Sequence, residues 1–266
     1  MTAAASMEIS FASVLAALRH SHDRLAAIVT PLTADQVSGP SYDDDWTIAQ
    51  VASHLGSGAE VFDLFVGTGL RREPAPGIEQ FHPIWDTWNA KSAPDQVRDT
   101  LQADAAFLAH LAALTPGEQE SWQLDLFGTQ QSLAGMLRMR LSEHAIHTWD
   151  IAVALAPSAT VAGDAVALII DSLPGMAGRA GKGTPEPVSV HVTAADPDRE
   201  FLLELTTEHA RLAPAAGPGD AAASLRLPAE ALIRLIYGRL DPDHAPAATE
   251  AAGVDLGTLR RSFPGI

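Results

Sequence analysis

Cysteine is absent from the sequence, and its absence excludes several kinds of functional site. Disulfide bonds, thiolate ligands for a metal and a cysteine nucleophile all require that side chain. Chains without disulfides are typical of reducing compartments, so we expect a cytoplasmic protein. Any thiol chemistry performed by this chain therefore needs a thiol from outside it.

Basic residues are scarce as well. The chain has 17 lysine and arginine residues against 33 aspartate and glutamate residues, which gives a net charge of −16. Such a chain has no basic stripe that could displace counterions from nucleic acid, and an anionic membrane surface repels it. We therefore expect neither nucleic acid nor a membrane as a partner.

Long apolar runs are also missing. No run approaches the roughly 18 residues that a membrane helix needs. The first residues, MTAAASMEIS, have no basic region followed by an apolar stretch, so we expect no signal peptide, with Met1 or Met7 as the start. Hydrophobic residues nevertheless make up 47% of the 266 residues, which is enough for a substantial core and excludes a disordered chain.

The first 175 residues or so show the spacing of amphipathic helices. Thr47 and Gln50 have the spacing of a capping box, which marks the start of the second helix after the acidic run 43–45. The Gly- and Pro-rich segment 68–83 predicts a long loop, and Pro116 with Gly117 ends the third helix. The predicted helices cover residues 9–31, 47–67, 93–114, 131–155 and 163–173.

A second Gly- and Pro-rich segment, residues 174–187, predicts a domain boundary. Beyond it the apolar residues alternate with a period of two, as in strands, beginning with Val188, Val190 and Val192. Strands are predicted at 188–192, 201–206, 210–213 and 221–227, and helices at 228–240 and from 255. The sequence thus predicts an α+β protein with a helical domain over 1–178 and a smaller α+β domain over 186–266.

One predicted helix carries an unusual set of ionisable residues. At about 100° per residue, Arg140, Glu143, His147 and Asp150 fall within a sector of about 80° that also holds apolar residues such as Met136. Such a stripe normally faces the core, where charges are costly unless they pair or bind a metal.

The spacing of this set favours a metal site. Glu143 and His147 are four residues apart, so both can reach one ion. His54 lies on the inward face of the second helix, where Gly58 leaves space beside it. Two histidines, one glutamate and an open fourth position are typical of catalytic zinc, and Asp150 is placed to orient or buffer the site.

A simpler interpretation stays open at this point. Glu/His pairs four residues apart are common on solvated helix faces, and a single histidine such as His54 is more often a packed side chain than a ligand. Arg140 and Glu143 could form an internal ion pair. His144 could replace Glu143 as a ligand only if the helix were rotated.

Two segments together resemble the signatures of the mycothiol-dependent maleylpyruvate isomerase family. They are DDDWTIAQVASHL at 43–55 and RLSEHAIHTWDIAVAL at 140–155, and IYGR at 236–239 is similar to a third family feature. The positions that match the two signatures are Trp46, His54, Leu55, Arg140, Glu143, His147, Trp149 and Asp150.

The resemblance implies a DinB-like four-helix bundle followed by a sterol-carrier-like α+β domain. It implies that His54, Glu143 and His147 bind a divalent metal, usually zinc, that mycothiol is the thiol cosubstrate, and that Arg239 takes part in the reaction. Arg140 and Asp150 complete the predicted catalytic set, while no residue is assigned to binding the thiol. The simpler alternative for Arg239 is a surface ion pair.

We therefore predict isomerisation of a small electrophile such as maleylpyruvate, or transfer of the thiol to it. A metal with an open position lowers the pKa of a bound thiol, and Arg239, Arg71 or Arg72 could hold a substrate carboxylate. A metal-dependent hydrolase that needs no thiol and a non-catalytic ligand-binding protein are the alternatives. We expect a monomer or a weak homodimer.

Overall fold

The computed structural model describes residues 9–42, 45–126 and 128–265. Residues 1–8, which bear on the start of the chain, and Asp43 and Asp44 of the acidic run lie outside the described residues, whereas Asp45 is exposed. The chain forms two compact units, Met1–Ala159 and Thr160–Ile266.

The first unit is helical, with one short hairpin. Its elements are α1 (Phe11–Val29), α2 (Ala34–Val37), α3 (Ile48–Arg71), α4 (Ile78–Asn89), α5 (Ala93–Ala113), α6 (Pro116–Ser121), β1 (Gln123–Leu126), β2 (Thr129–Ser132) and α7 (Leu133–Leu155).

Four long helices of this unit form a bundle. Helix α1 packs against α5 and α7, and α3 packs against the same two helices. Side chains close the helix starts, since Ser10 and Ser132 accept hydrogen bonds from the first turns of α1 and α7. The predicted capping box of Thr47 and Gln50 is confirmed at the start of α3. The bundle places the first half of α3 beside the middle of α7.

One loop prediction in this unit was wrong. The segment 68–83 is mostly helical, because α3 continues to Arg71 and α4 begins at Ile78, with Pro83 inside it. Pro116 and Gly117 follow the end of α5 as predicted, but they also open α6, where a proline in the first turn costs no hydrogen bond. The hairpin of β1 and β2 was not predicted, because polar and apolar residues alternate over only four residues in β1 and β2 is polar throughout.

The second unit is a five-stranded sheet with helices. Its elements are α8 (Gly163–Ile169), a 3₁₀ turn (Ile170–Ser172), α9 (Leu173–Ala180), β3 (Val188–Ala195), β4 (Arg199–Leu205), β5 (Ala210–Pro214), β6 (Ala223–Pro228), α10 (Ala229–Ile236), β7 (Glu250–Ala252) and α11 (Leu256–Ser262). The strand order is β5-β4-β3-β6-β7, and only β3 and β6 run parallel. Helices α8 and α9 contact α10, and α9 also contacts β5.

The predicted class, α+β with the helices first, is confirmed, and the four predicted strands correspond to β3, β4, β5 and β6. Two details differ. Helix α9 occupies the start of the segment 174–187, and α10 ends at Ile236 rather than near Leu240. The compact units divide between Ala159 and Thr160, so the division into 1–178 and 186–266 stays a prediction. Among the residues described, none of the helices combines the length and the apolar character that crossing a bilayer requires.

Candidate metal centre

Three predicted ligands come together where α3 faces α7. One donor atom each from His54, Glu143 and His147 lies within 4.8 Å of the other two. The Nε2 atoms of both histidines lie 3.6 Å from the same glutamate oxygen, Oε2. The exposed side-chain fractions are 37% for His54, 36% for Glu143 and 12% for His147, so the cluster is accessible from one side.

Asp150 fixes one of these rings. Its Oδ2 lies 2.9 Å from Nδ1 of His147, one turn earlier on α7. Because an ionised carboxylate only accepts hydrogen bonds, Nδ1 carries a proton, and Nε2 is the ring nitrogen that faces Glu143. The Asp150 side chain is fully buried, and its backbone carbonyl accepts a hydrogen bond from the Tyr42 amide.

The indole ring of Trp46 packs beside both histidines of the cluster. Its ring centroid lies 5.3 Å from that of His54 and 6.3 Å from that of His147, against which it is stacked. The two imidazoles meet edge to face at 4.6 Å. An indole at this place limits the orientations that the two histidine rings can take.

The electrostatics suit a cation. Burial raises the pKa of Glu143, but the interactions of its carboxylate with the His147 and His54 rings outweigh burial and bring the pKa well below its ordinary value. Burial lowers the pKa of His54, which keeps that ring neutral and able to donate a lone pair. Burial also acts to lower the pKa of His147, yet Asp150 and Glu143 outweigh it, so this pKa is raised. A metal at this site would compete with a proton for His147.

Arg140 and His144 belong to a buried polar network beside the three ligands. Arg140 Nη2 donates to Asp104 Oδ1 at 2.7 Å, and His144 Nε2 lies 2.8 Å from Asp104 Oδ2. Ser21 Oγ lies 2.8 Å from the other ring nitrogen of His144. All four side chains are almost completely inaccessible. The internal pair of Arg140 with Glu143, considered above, is replaced by the pair of Arg140 with Asp104.

Asp104 is the residue that sequence reasoning missed. Burial raises the pKa of its carboxyl, but the charges of His144 and Arg140 and the hydrogen bond from His144 outweigh burial, so the pKa lies well below its ordinary value. The one signal in the sequence is that Asp104 is an acidic residue at a position of α5 where the helical spacing predicts a buried apolar side chain.

Three other arginines were candidates for binding a carboxylate of the substrate. Arg239 belongs to the second unit, is 8% exposed, and donates from Nη1 to the carbonyl of Tyr237 at 2.7 Å. Arg71 is exposed at the end of α3 and pairs with Glu73 at 2.8 Å, and Arg72 is the exposed C-cap of that helix. The roles of Arg140, Asp150 and Arg239 in a reaction stay predictions.

The two units match two family models. The model described as mycothiol maleylpyruvate isomerase N-terminal domain matches residues 18–152. The model described as MDMPI C-terminal domain matches residues 164–261. No curated protein matches the chain in sequence.

Solved structures resemble the chain in fold. The crystal structure of the mycothiol-dependent maleylpyruvate isomerase gives a TM-score of 0.66 at 14% identity and covers 94% of this chain and 95% of that chain. A histidine-to-alanine mutant of that enzyme gives the same values. YfiT from Bacillus subtilis, described as a probable metal-dependent hydrolase, covers 57% of this chain and 89% of its own at 16% identity. Its TM-score of 0.43 is too low for a functional comparison.

The order of domains is therefore the same in the family models and in the chain. The first model alone spans half of the sequence and contains His54, Glu143 and His147, and the second spans the sheet and its helices. The chain belongs to the mycothiol maleylpyruvate isomerase family.

Proposed function

We propose that this chain is a metal-dependent enzyme that uses mycothiol as the thiol cosubstrate. It would isomerise a small electrophile such as maleylpyruvate, or transfer the thiol to it. The observation that carries the proposal is the convergence of the His54, Glu143 and His147 donor atoms within 4.8 Å. Membership of the family supports mycothiol and maleylpyruvate as the first compounds to test.

The donor set fits zinc in composition and size. Zinc is held by histidine nitrogens and carboxylate oxygens at about 2.0–2.2 Å, so neighbouring ligands of a tetrahedral site lie about 3.3–3.6 Å apart. The two separations from Glu143 Oε2, both 3.6 Å, are at the upper end of this range. Three protein ligands leave a fourth position for a substrate or cosubstrate, as in catalytic rather than structural zinc sites.

When bound, a divalent cation would lower the pKa of a coordinated thiol, so that the thiolate is available near neutral pH. Glu143 contributes the negative charge of the site because its pKa lies well below the ordinary value. Asp150 holds His147 with its Nε2 lone pair toward the centre, and Trp46 limits the movement of both imidazoles. A second-unit residue, Arg239, is proposed to bind a carboxylate of the substrate, since a guanidinium can bind both carboxylate oxygens.

The reaction conserves atoms in either form. In isomerisation the sulfur adds to an activated double bond, the resulting single bond rotates, and the sulfur leaves again. In transfer the sulfur stays on the product and a proton completes the addition. The absence of cysteine agrees with either form, since the sulfur then comes from the cosubstrate.

The metal content of the purified, untagged protein tests the proposal first. We expect about one zinc per wild-type chain by mass spectrometry, and none in His147→Ala, with the helical circular dichroism unchanged. His110→Ala is the matched control, because His110 also pairs with a carboxylate, that of Asp63, but lies outside the cluster. Stoichiometric metal in His147→Ala would refute the ligand assignment.

Dependence on the thiol tests the reaction. We expect turnover of maleylpyruvate only when mycothiol is present, and loss of turnover in His147→Ala. Turnover of an electrophile without any thiol would instead indicate hydrolysis. A protein that binds no zinc even after its addition would be the ligand-binding protein considered as an alternative.

A further inference from the structure

The guanidinium of Arg140 connects three helices of the bundle. From α7, its Nη2 atom donates to the side chain of Asp104 on α5 and to the backbone carbonyl of Leu55 on α3, both at 2.7 Å. Arg140 is 1% exposed and Asp104 3% exposed, so water does not compete for these bonds. The substrate of an accessible site could not reach this guanidinium without displacing the bundle core.

The two ends of this connection adjoin the proposed ligands. Leu55 directly follows His54 on α3, and Arg140 lies one turn before Glu143 on the same side of α7. The bond between Arg140 and Leu55 therefore joins the turn that carries one ligand to the turn that carries another. A slide or rotation of α7 against α3 would change the separation of His54 and Glu143, and it would also break this bond.

Helix α3 provides a space for this guanidinium. A Cβ atom at Gly58 would lie 2.7 Å from Arg140 Nη1, closer than side-chain atoms approach each other. Gly58 is one turn after His54. A side chain at this position would push the Arg140 guanidinium away from the turn of α3 that carries His54, and glycine has none. Sequence spacing suggested space beside His54, and the arginine fills that space.

Stability alone does not explain a buried pair of this kind. Desolvation offsets most of the attraction between two buried charges, so apolar side chains of the same volume often stabilise a core equally well. The attested advantage of such pairs is that they select one arrangement of helices. Here the selected arrangement is that of α3 and α7, and it determines how His54 and Glu143 lie relative to each other.

We infer that Arg140 and Asp104 are positioning residues that hold α7 and α3 in the register that brings His54 and Glu143 together. The inference rests on the proposed metal site and assigns Arg140 a task other than contact with the substrate. Asp104 orients the guanidinium from α5, and the guanidinium fixes the α3 carbonyl beside His54.

Zinc affinity tests this inference. The variants are Asp104→Asn, which removes the charge at constant shape, and Arg140→Lys, which keeps the charge but loses the planar fork. The control is Thr100→Val, because the buried Thr100 hydroxyl on α5 also donates to an α3 carbonyl, that of Ala52, without involving α7. Dissociation constants are measured by competition with a chromophoric chelator, well below the unfolding temperature of each variant.

We expect Asp104→Asn and Arg140→Lys to weaken zinc binding by about 10- to 100-fold, the range found when groups supporting metal ligands are removed. Thr100→Val should stay within about twofold of wild type although it also destabilises the bundle. If Asp104→Asn fails to fold, the milder Arg140→Lys decides the question. Wild-type affinity in both folded variants, with normal binding by the wild type, would overturn the inference.

A measurement without metal separates this inference from the proposed function. The His54 and His147 ring centroids are 4.6 Å apart, so their ring protons should give a nuclear Overhauser effect in the metal-free protein. We expect this effect in wild type and Thr100→Val and its weakening in Asp104→Asn and Arg140→Lys. A wild type that binds no zinc would refute the metal site, and an unchanged effect in both variants would refute the positioning.

Discussion

At the scale of single residues, Asp150 controls a ligand through a hydrogen bond. Its fully buried carboxylate accepts from Nδ1 of His147, and this bond selects the tautomer whose Nε2 faces Glu143. Partners of this kind orient the ring and increase its basicity as a ligand. A change at Asp150 should therefore alter metal affinity without removing a donor atom.

We predict that Asp150→Asn weakens zinc binding by about 10- to 100-fold, and less than His147→Ala does. The asparagine oxygen can still accept from Nδ1, but the negative charge behind the ring is lost. Chelator competition measures the affinity, and Asp63→Asn, which alters the accessible pair with His110, serves as the control. A loss as large as that of His147→Ala would make Asp150 a direct ligand.

The Asp104 carboxylate should make the free energy of unfolding depend on pH in the acidic range. Its pKa in the native protein lies well below the value of about 3.9 expected for the unfolded chain. The native state thus resists protonation while the unfolded state accepts it, so the stabilisation is complete above about pH 5 and decreases as the pH falls further. The decrease approaches about 1.4 kcal/mol per pH unit for one such group.

Denaturant titrations between pH 3 and 6 check this effect in wild type and Asp104→Asn. We expect the difference in unfolding free energy between the two proteins to be constant near pH 6 and to narrow below about pH 4. A constant difference down to pH 3 would contradict the assigned role of the Asp104 charge.

Contacts between residues close together in the sequence could be predicted, whereas contacts between residues far apart in the sequence could not. Glu143, His147 and Asp150 share one helix, so their common face follows from helical geometry. The partners of Arg140 and His144 lie on other helices, and a linear pattern carries no signal for the approach of Asp104 or Ser21 to α7. A charge on an inward face indicates that a partner exists, but the fold decides which residue it is.

At the scale of elements, α4 shows how packing can override an unfavourable sequence. The segment around it is rich in glycine and proline, and Pro83 lies within the helix. Trp88 anchors it: the indole is 1% exposed, and its Nε1 donates to Glu60 on α3 at 2.9 Å. A Cβ atom at Gly56 of α3 would lie 2.2 Å from this ring.

We predict that Gly56→Ala destabilises the protein by about 1–3 kcal/mol, because the added methyl group overpacks the interface between α3 and Trp88. Thr100 Oγ1 would lie 2.8 Å from the same Cβ position, so the added methyl group cannot avoid Trp88 by moving toward Thr100. Gly117→Ala in α6 is the matched control, since its Cβ would meet nothing within 4 Å. Equal stability of the two variants in denaturant titrations would contradict the anchor.

Elements with a local start signal were predictable, whereas those held by distant contacts were not. The capping box of Thr47 and Gln50 located the start of α3 to the residue. The hairpin of β1 and β2 has four-residue strands, and Trp122 before it is held by a hydrogen bond to the distant Val66 carbonyl. Short strands of this kind have too few residues for a period to be recognised.

At the scale of the whole molecule, the chain offers two candidate boundaries. Residues 154–158, at the end of α7 and just after it, are exposed. The Gly- and Pro-rich segment 181–187 is held by backbone bonds, from Lys182 to the Ser262 carbonyl and from Thr184 to the Thr206 carbonyl. We propose that the functional boundary lies near residue 159, before α8, rather than at 178–186.

Limited proteolysis with elastase, which cleaves after small residues, distinguishes the two boundaries. We predict that the first cut falls within residues 154–160, since cleavage requires exposed backbone that can leave its hydrogen bonds. Mass spectrometry of the first fragments identifies the site. A first cut within 181–187 would favour the division predicted from the sequence.

The position of Trp46 gives the protein a built-in optical probe. Indole emission is quenched by a nearby protonated imidazole and less so by a neutral one, and this ring lies beside both His54 and His147. A cation bound by the two histidines would displace the proton from His147 and change the electric field at the indole. The fluorescence of this one side chain therefore records the state of the centre without any label, and Trp46→Phe identifies its share of the emission among the five tryptophans.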